Sequence, residues 1–127
     1  MYLRNAMKLN HLNLPVANVP SAREFFQTYF GFQPVDVKLN ETLSVMQNDD
    51  QFTLVLMNNN LNENGNSAYP DAFHFGFFLD DEEQVNAMYN QLKEGEVELP
   101  QEPQRIRRTY GFYFRHQAVL MEVAVMS

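Results

Sequence analysis

The feature that most constrains this chain is that it spells one order of structural signals twice. Around residues 9 to 16 the pattern alternates, with Leu12, Leu14 and Val16 pointing one way and His11 and Asn13 the other, the period of a half-buried strand. Pro20-Ser21-Ala22-Arg23-Glu24 then reads as a capping box with Ser21 as the cap. Ala22, Phe25, Phe26, Tyr29 and Phe30 share one side of a 3.6-residue period until Gly31 ends the helix. Three strands are expected near 33–38, 42–47 and 51–57, with Asn48-Asp49-Asp50 as a turn. The order recurs in a strand from Phe73 to Leu79 carrying His74, then in a cap at Asp80 with Glu83. A helix face of Val85, Met88, Tyr89 and Leu92 follows, closed by Gly95, and strands are expected near 96–100, 110–114 and 119–126. His11 to His74 spans 63 residues and Gly31 to Gly95 spans 64, so internal duplication is the economical reading.

This pattern predicts an α+β fold of two tandem βαβββ modules forming a cupped mixed sheet around a cavity. One single domain, residues 7–127, is expected, with modules at about 8–58 and 72–126. The polar, turn-rich stretch 59–71 connects them, and residues 1–6 form an N-terminal leader. In each module the apolar side of every strand packs on its helix, and the opposite sides are left to line the cavity.

Composition narrows the partners. Sixteen acidic and nine basic residues leave a formal charge of -7, which repels nucleic-acid phosphates and anionic lipid surfaces. The apolar stretches are only strand-length and no secretion signal precedes them, so neither nucleic acid nor membrane is an expected partner and a cytoplasmic location is expected. With no cysteine, any metal site must be built from histidine, carboxylate and water.

The chain has three histidines, and two of them, His11 and His74, hold equivalent positions in the leading strands of the two modules. Glu122 lies within the apolar run Val119-Leu120-Met121-Glu122-Val123-Ala124-Val125. An unpaired carboxylate there would cost several kcal/mol, and a divalent cation shared with two imidazoles would offset that. Two histidines and one carboxylate leave positions open for water or substrate. Glu122 could instead pair with Arg105, Arg107 or Arg108, and a histidine could instead be satisfied by a backbone carbonyl. Asn13, Gly76 and Ala124 share the faces of the three candidate ligands by strand alternation and would leave room for a bound molecule. His116, in the short Arg115-His116-Gln117-Ala118 turn, reads as solvated.

In Asn10-His11-Leu12-Asn13-Leu14-Pro15-Val16, Tyr29-Phe30-Gly31-Phe32, Phe73-His74-Phe75-Gly76 and Leu120-Met121-Glu122-Val123 the sequence resembles the vicinal oxygen chelate superfamily. That group includes glyoxalase I, fosfomycin-resistance thiol transferases, extradiol dioxygenases and bleomycin-resistance proteins. The resemblance implies that His11, His74 and Glu122 hold a divalent ion such as Fe, Mn, Zn or Ni, and that a homodimer forms. It also implies that Tyr113 and Glu122 act on a small oxygen-rich substrate by lyase or isomerase, thiol-transferase or dioxygenase chemistry. Arg107 and Arg108, with Arg105, are the available cationic contacts for substrate. Glyoxalase I has a further carboxylate ligand in the last strand of its first module, where Leu54 or Val55 stands here. The turn before Glu122 also departs from the family's Asp-Pro-Asp-Gly form, and one residue of slippage would turn Glu122 outward. A non-catalytic relative that sequesters a drug or metabolite, as bleomycin-resistance proteins do, is the alternative function.

Overall fold

The computed structural model describes residues 7–38, 41–65 and 68–126, and the expected leader lies outside them. The chain divides into two compact units, Met1–Asn66 and Ser67–Ser127, each a four-stranded mixed sheet with one α-helix among the described residues. No helix among them is long and apolar enough to cross a membrane.

The first unit runs β1 (His11–Val16), α1 (Val19–Phe30), β2 (Gln33–Lys38), β3 (Leu43–Gln47) and β4 (Thr53–Asn58), with spatial order β1-β4-β3-β2. β1 and β4 are parallel, and the other neighbours antiparallel. Helix α1 starts earlier than the Ser21 signal suggested. Asn18 is its cap, accepting from the Ser21 N–H at 2.9 Å, and Pro20 occupies the first turn, where its missing N–H costs nothing. Gly31 ends the helix at φ 71, a left-handed conformation that glycine enters without a Cβ penalty. Leu14, Val16, Ala22, Phe25, Phe26, Met46, Leu54 and Leu56 are buried. Phe26 meets Phe25 and Phe32 edge-on at centroid distances of 5.5 and 6.0 Å, so the aromatic stripe is core.

The second unit runs β5 (His74–Phe78), α2 (Glu82–Glu94), β6 (Gln104–Ile106), β7 (Thr109–His116) and β8 (Val119–Met126), ordered β5-β8-β7-β6. Its capping box is shifted by one residue from the expected Asp80. Asp81 accepts from Gln84 N–H, and the Gln84 side chain accepts from Asp80 N–H. The run Asp80-Asp81-Glu82-Glu83-Gln84 offers several possible caps, and burial of Val85 and Leu92 decides between them by fixing the helix's rotation. The strand expected at 96–100 is absent. The glutamate after Gly95 takes φ 63, the turn breaks the extended path, and strand pairing resumes only at Gln104 opposite Gly111.

The β7–β8 hairpin sets the register of Glu122. His116 pairs with Val119, leaving Gln117 and Ala118 as a two-residue turn at φ 49 and 69. Two consecutive positive φ values match the right-handed twist of a hairpin and favour Asn-Gly over Gln-Ala. Gln117→Asn combined with Ala118→Gly should therefore raise the unfolding free energy by about 1 kcal/mol, read by urea denaturation.

His116 is not the solvated turn residue that sequence suggested. It ends β7 half-buried, and burial lowers its pKa from the ordinary 6.5. The folded state thus binds this proton more weakly than the unfolded chain, so the associated stability is complete above the unfolded pKa and is lost as pH falls toward the folded one. Thermal unfolding scans between pH 7 and 5 should show a falling midpoint, and His116→Gln should remove part of that slope.

Candidate active site

Side chains opposite one another across paired strands share a face. In the second unit, the face turned away from α2 is therefore laid out in rows by the pairing register. One row holds His74, Leu120 and Arg115, the next Gly76, Glu122 and Tyr113, and the next Phe78, Ala124 and Gly111. Val119, Met121, Val123, Phe112 and Phe114 lie on the other face, buried beneath α2. Glu122 is thus held on the face that carries His74, and the short turn has not slipped the register.

The Glu122 side chain is only 17% exposed, and its Oε1 lies 3.8 Å from His74 Nε2. That separation is too long for a hydrogen bond, but it suits two donors that would each lie about 2.0–2.2 Å from a shared ion. His74 Nδ1 lies 3.0 Å from the Ala72 carbonyl. A carbonyl only accepts, so this nitrogen carries a proton, and Nε2 is the ring atom turned toward Glu122. The bland reading of His74, satisfaction by a backbone carbonyl, and the ligand reading are therefore two ends of one arrangement, the kind of support that orients metal-bound imidazoles.

Tyr113, opposite Glu122, packs edge-on to the His74 ring at 5.5 Å. Burial, then the Glu122 charge, then a hydrogen bond to that carboxylate raise the Tyr113 pKa above its ordinary 10. Its hydroxyl stays protonated at neutral pH and can donate. No arginine reaches Glu122 among the described residues. Arg105 is drawn to the other side, paired with Glu82 and set over the Tyr110 ring at 5.8 Å.

A cavity of about 320 Å³ opens on this face, lined by Gln104, Ile106, Arg107, Thr109, Gly111, Tyr113 and Glu122. Arg107 is in its wall, whereas Arg108 and Gly76 are not among the lining residues. Sequence reasoning passed over Gln104, Ile106, Thr109 and Gly111. The available signal was a glycine inside the otherwise aromatic strand Tyr110-Gly111-Phe112, which marks close backbone approach.

Gly76 has a reason of its own. A Cβ there would sit 2.8 Å from the Glu122 carbonyl oxygen and 3.0 Å from its Cβ, so the glycine lets β5 close upon the strand that carries the carboxylate. Gly76→Ala should push Glu122 off position and cost about 1–3 kcal/mol, measurable by urea denaturation.

The first unit repeats the histidine of the leading strand. His11 and Asn13 lie in β1, opposite Thr53 and Val55. His11 Nδ1 donates to Asn10 Oδ1 at 2.8 Å. Asn13 donates to the Met57 sulfur at 2.9 Å. By register Asn13 and Val55 correspond to Gly76 and Glu122, so Val55 occupies the place of the further carboxylate ligand. Among the described residues no group of three His, Asp or Glu gathers closely enough to hold an ion; His74 and Glu122 are brought together in the second unit, and His11 lies in the first.

Each of the two βαβββ units carries a histidine on its leading strand, and the second carries a carboxylate beside it. The profile of the Glyoxalase/Bleomycin resistance protein/Dioxygenase superfamily matches residues 8–120, and the chain belongs to that superfamily. It is similar to a possible glyoxalase from Bacillus cereus, with 35% identity, 96% of this chain and 100% of the other covered, and a TM-score of 0.77. Its fold is also that of a lactoylglutathione lyase from Agrobacterium tumefaciens (18% identity, 96% of each chain, TM-score 0.75). The fosfomycin resistance protein FosX from Listeria monocytogenes shares it too (20% identity, 95% of this chain and 94% of that one, TM-score 0.73). No curated protein matches the chain.

Proposed function

We propose that this protein is a metal-dependent enzyme in which His11, His74 and Glu122 hold one divalent ion, of the Fe, Mn, Zn or Ni kind, and that it acts on a small oxygen-rich substrate. The observation that carries the reading is the pair in the second unit. An imidazole fixed by a carbonyl turns its Nε2 toward a largely buried carboxylate 3.8 Å away, and no arginine compensates that charge among the described residues. His11, held by Asn10 through Nδ1, supplies the third donor of a two-histidine, one-carboxylate set. When bound, such an ion polarises two substrate oxygens and stabilises negative charge developing on them.

The remaining chemistry falls to side chains that line the cavity. Tyr113, kept protonated, donates a hydrogen bond to Glu122 or to a substrate oxygen. Glu122 can accept a proton from substrate where lyase or isomerase chemistry requires a base. Thiol-transferase and dioxygenase chemistry use the same donor set. Outside the cavity wall, Asn13 and Gly76 leave space for substrate; Arg107 supplies a cationic contact from the wall, with Arg108 beside it in the β6–β7 turn. The enzyme works in the cytoplasm as a homodimer in this proposal; exposed apolar side chains at Val35, Val37 and Phe78 support the dimer.

Metal analysis of protein dialysed against zinc, manganese, nickel or iron(II) tests the proposal. Wild type should bind one ion per chain, and His11→Ala, His74→Ala and Glu122→Ala should each lose it. Asn10→Ala should weaken affinity about 10–100-fold by releasing the His11 ring. Wild-type protein that takes up no ion, yet binds small organic molecules on the cavity face, would instead make it a sequestering protein.

A further inference from the structure

The connection between β6 and β7 is a two-residue turn. Ile106 pairs with Thr109, so Arg107 and Arg108 lie between them, and the Thr109 hydroxyl locks the turn by donating to the Ile106 carbonyl at 3.1 Å. Arg107 adopts φ 55, in the left-handed region that hairpin turns normally assign to glycine or asparagine and that a long side chain enters at a cost. Gln117 and Ala118 hold the same region in the β7–β8 turn; Arg107 differs from them in lining the cavity that contains Tyr113 and Glu122.

Arg107 is the one cation among the residues lining that cavity, and it makes no ion pair among the described residues. Its neighbour Arg105, by contrast, is engaged by Glu82 and the Tyr110 ring. The protein as a whole is acidic, with a formal charge of -7, so its long-range field discourages anions. An uncommitted guanidinium in a cavity wall works against that field locally, and its planar fork suits carboxylate or phosphate oxygens. Glu122 lies four residues along β8 from Met126, the partner of Thr109, which is roughly 14 Å of strand. The cavity, about 320 Å³ in volume, holds a short chain along that stretch. Ile106 and Gly111 offer that chain an apolar, uncrowded wall.

We infer that the substrate is a small hydroxy- or oxo-acid with two ends, one chelated beside Glu122 and the other a second anionic group bound by Arg107. This rests on the metal reading above for the chelated end alone. The strain at Arg107 is then the cost of presenting its guanidinium to the cavity, so stability and anion binding should move in opposite directions when the residue is replaced.

The test is an amide-shift titration of isotope-labelled protein, metal-free and zinc-loaded, with malate, 3-phosphoglycerate and 2-hydroxybutyrate. The first two differ in the source of the second anion, and the third lacks one. Malate or 3-phosphoglycerate should shift the Thr109 and Gly111 amides of wild type, with 2-hydroxybutyrate binding at least tenfold more weakly. Arg107→Gly should lose tenfold or more in affinity for the dianions, unfold roughly 2–6 °C higher, and keep zinc affinity within about twofold. Arg107→Gln provides the same binding comparison without altering backbone freedom, and Arg107→Lys should retain part of the affinity. Equal binding of the dianions by wild type and Arg107→Gln would overturn the inference, as would dianion binding by neither the metal-free nor the zinc-loaded wild type. Arg107-dependent binding by a protein that takes up no zinc would support the anion site while removing the metal reading.

Discussion

The site depends on one electrostatic constraint, the removal of the Glu122 carboxylate from water on an otherwise apolar strand. A half-desolvated acid without a partner is destabilising by several kcal/mol, so the surrounding strands are arranged around it. Tyr113 donates from one side, and the His74 ring stands on the other with its Nε2 3.8 Å from the carboxylate. The space between that nitrogen and the carboxylate is where the proposed ion would sit.

Around this constraint the sheet is unusually close-packed. Gly76 and Gly111 flank β8 on its two sides, and at both the backbone of β8 stands where a Cβ would be. At Gly111 the added atom would come within 2.2 Å of the Val123 carbonyl. The glycines allow three strands to pack tightly under the carboxylate, and the absence of side chains at these two positions also opens the surface above. Position and access thus come from one device, close backbone approach.

The two units share one plan with unequal content. Both leading strands present a histidine whose Nδ1 faces an oxygen, but the acceptor is the Asn10 side chain in the first unit and a backbone carbonyl in the second. The strand that carries Glu122 in the second unit has Val55 at the matching register position in the first. The scaffold is the same in both units, and the acid stands in one of them.

Alternation of apolar residues, the helical stripes and the repeated order made the βαβββ plan legible from sequence, because burial periodicity is a local property of the chain. His11, His74 and Glu122 stood out for the same reason, as polar side chains interrupting apolar patterns. Helix starts were off by one to three residues, since clustered Asn, Ser and Asp offer competing caps and only packing of the apolar face selects one. The strand expected at 96–100 gave way to Gln104–Ile106 because pairing with β7, not propensity, decides where a short edge strand forms. What the sequence alone determined was the kind of fold and the identity of the polar residues on its free faces. The tertiary structure alone decided which of them meet, that Tyr113 and not an arginine partners Glu122, and that Arg107 faces the cavity. Those outcomes depend on strand register and on turn geometry, which bring together residues far apart in the chain.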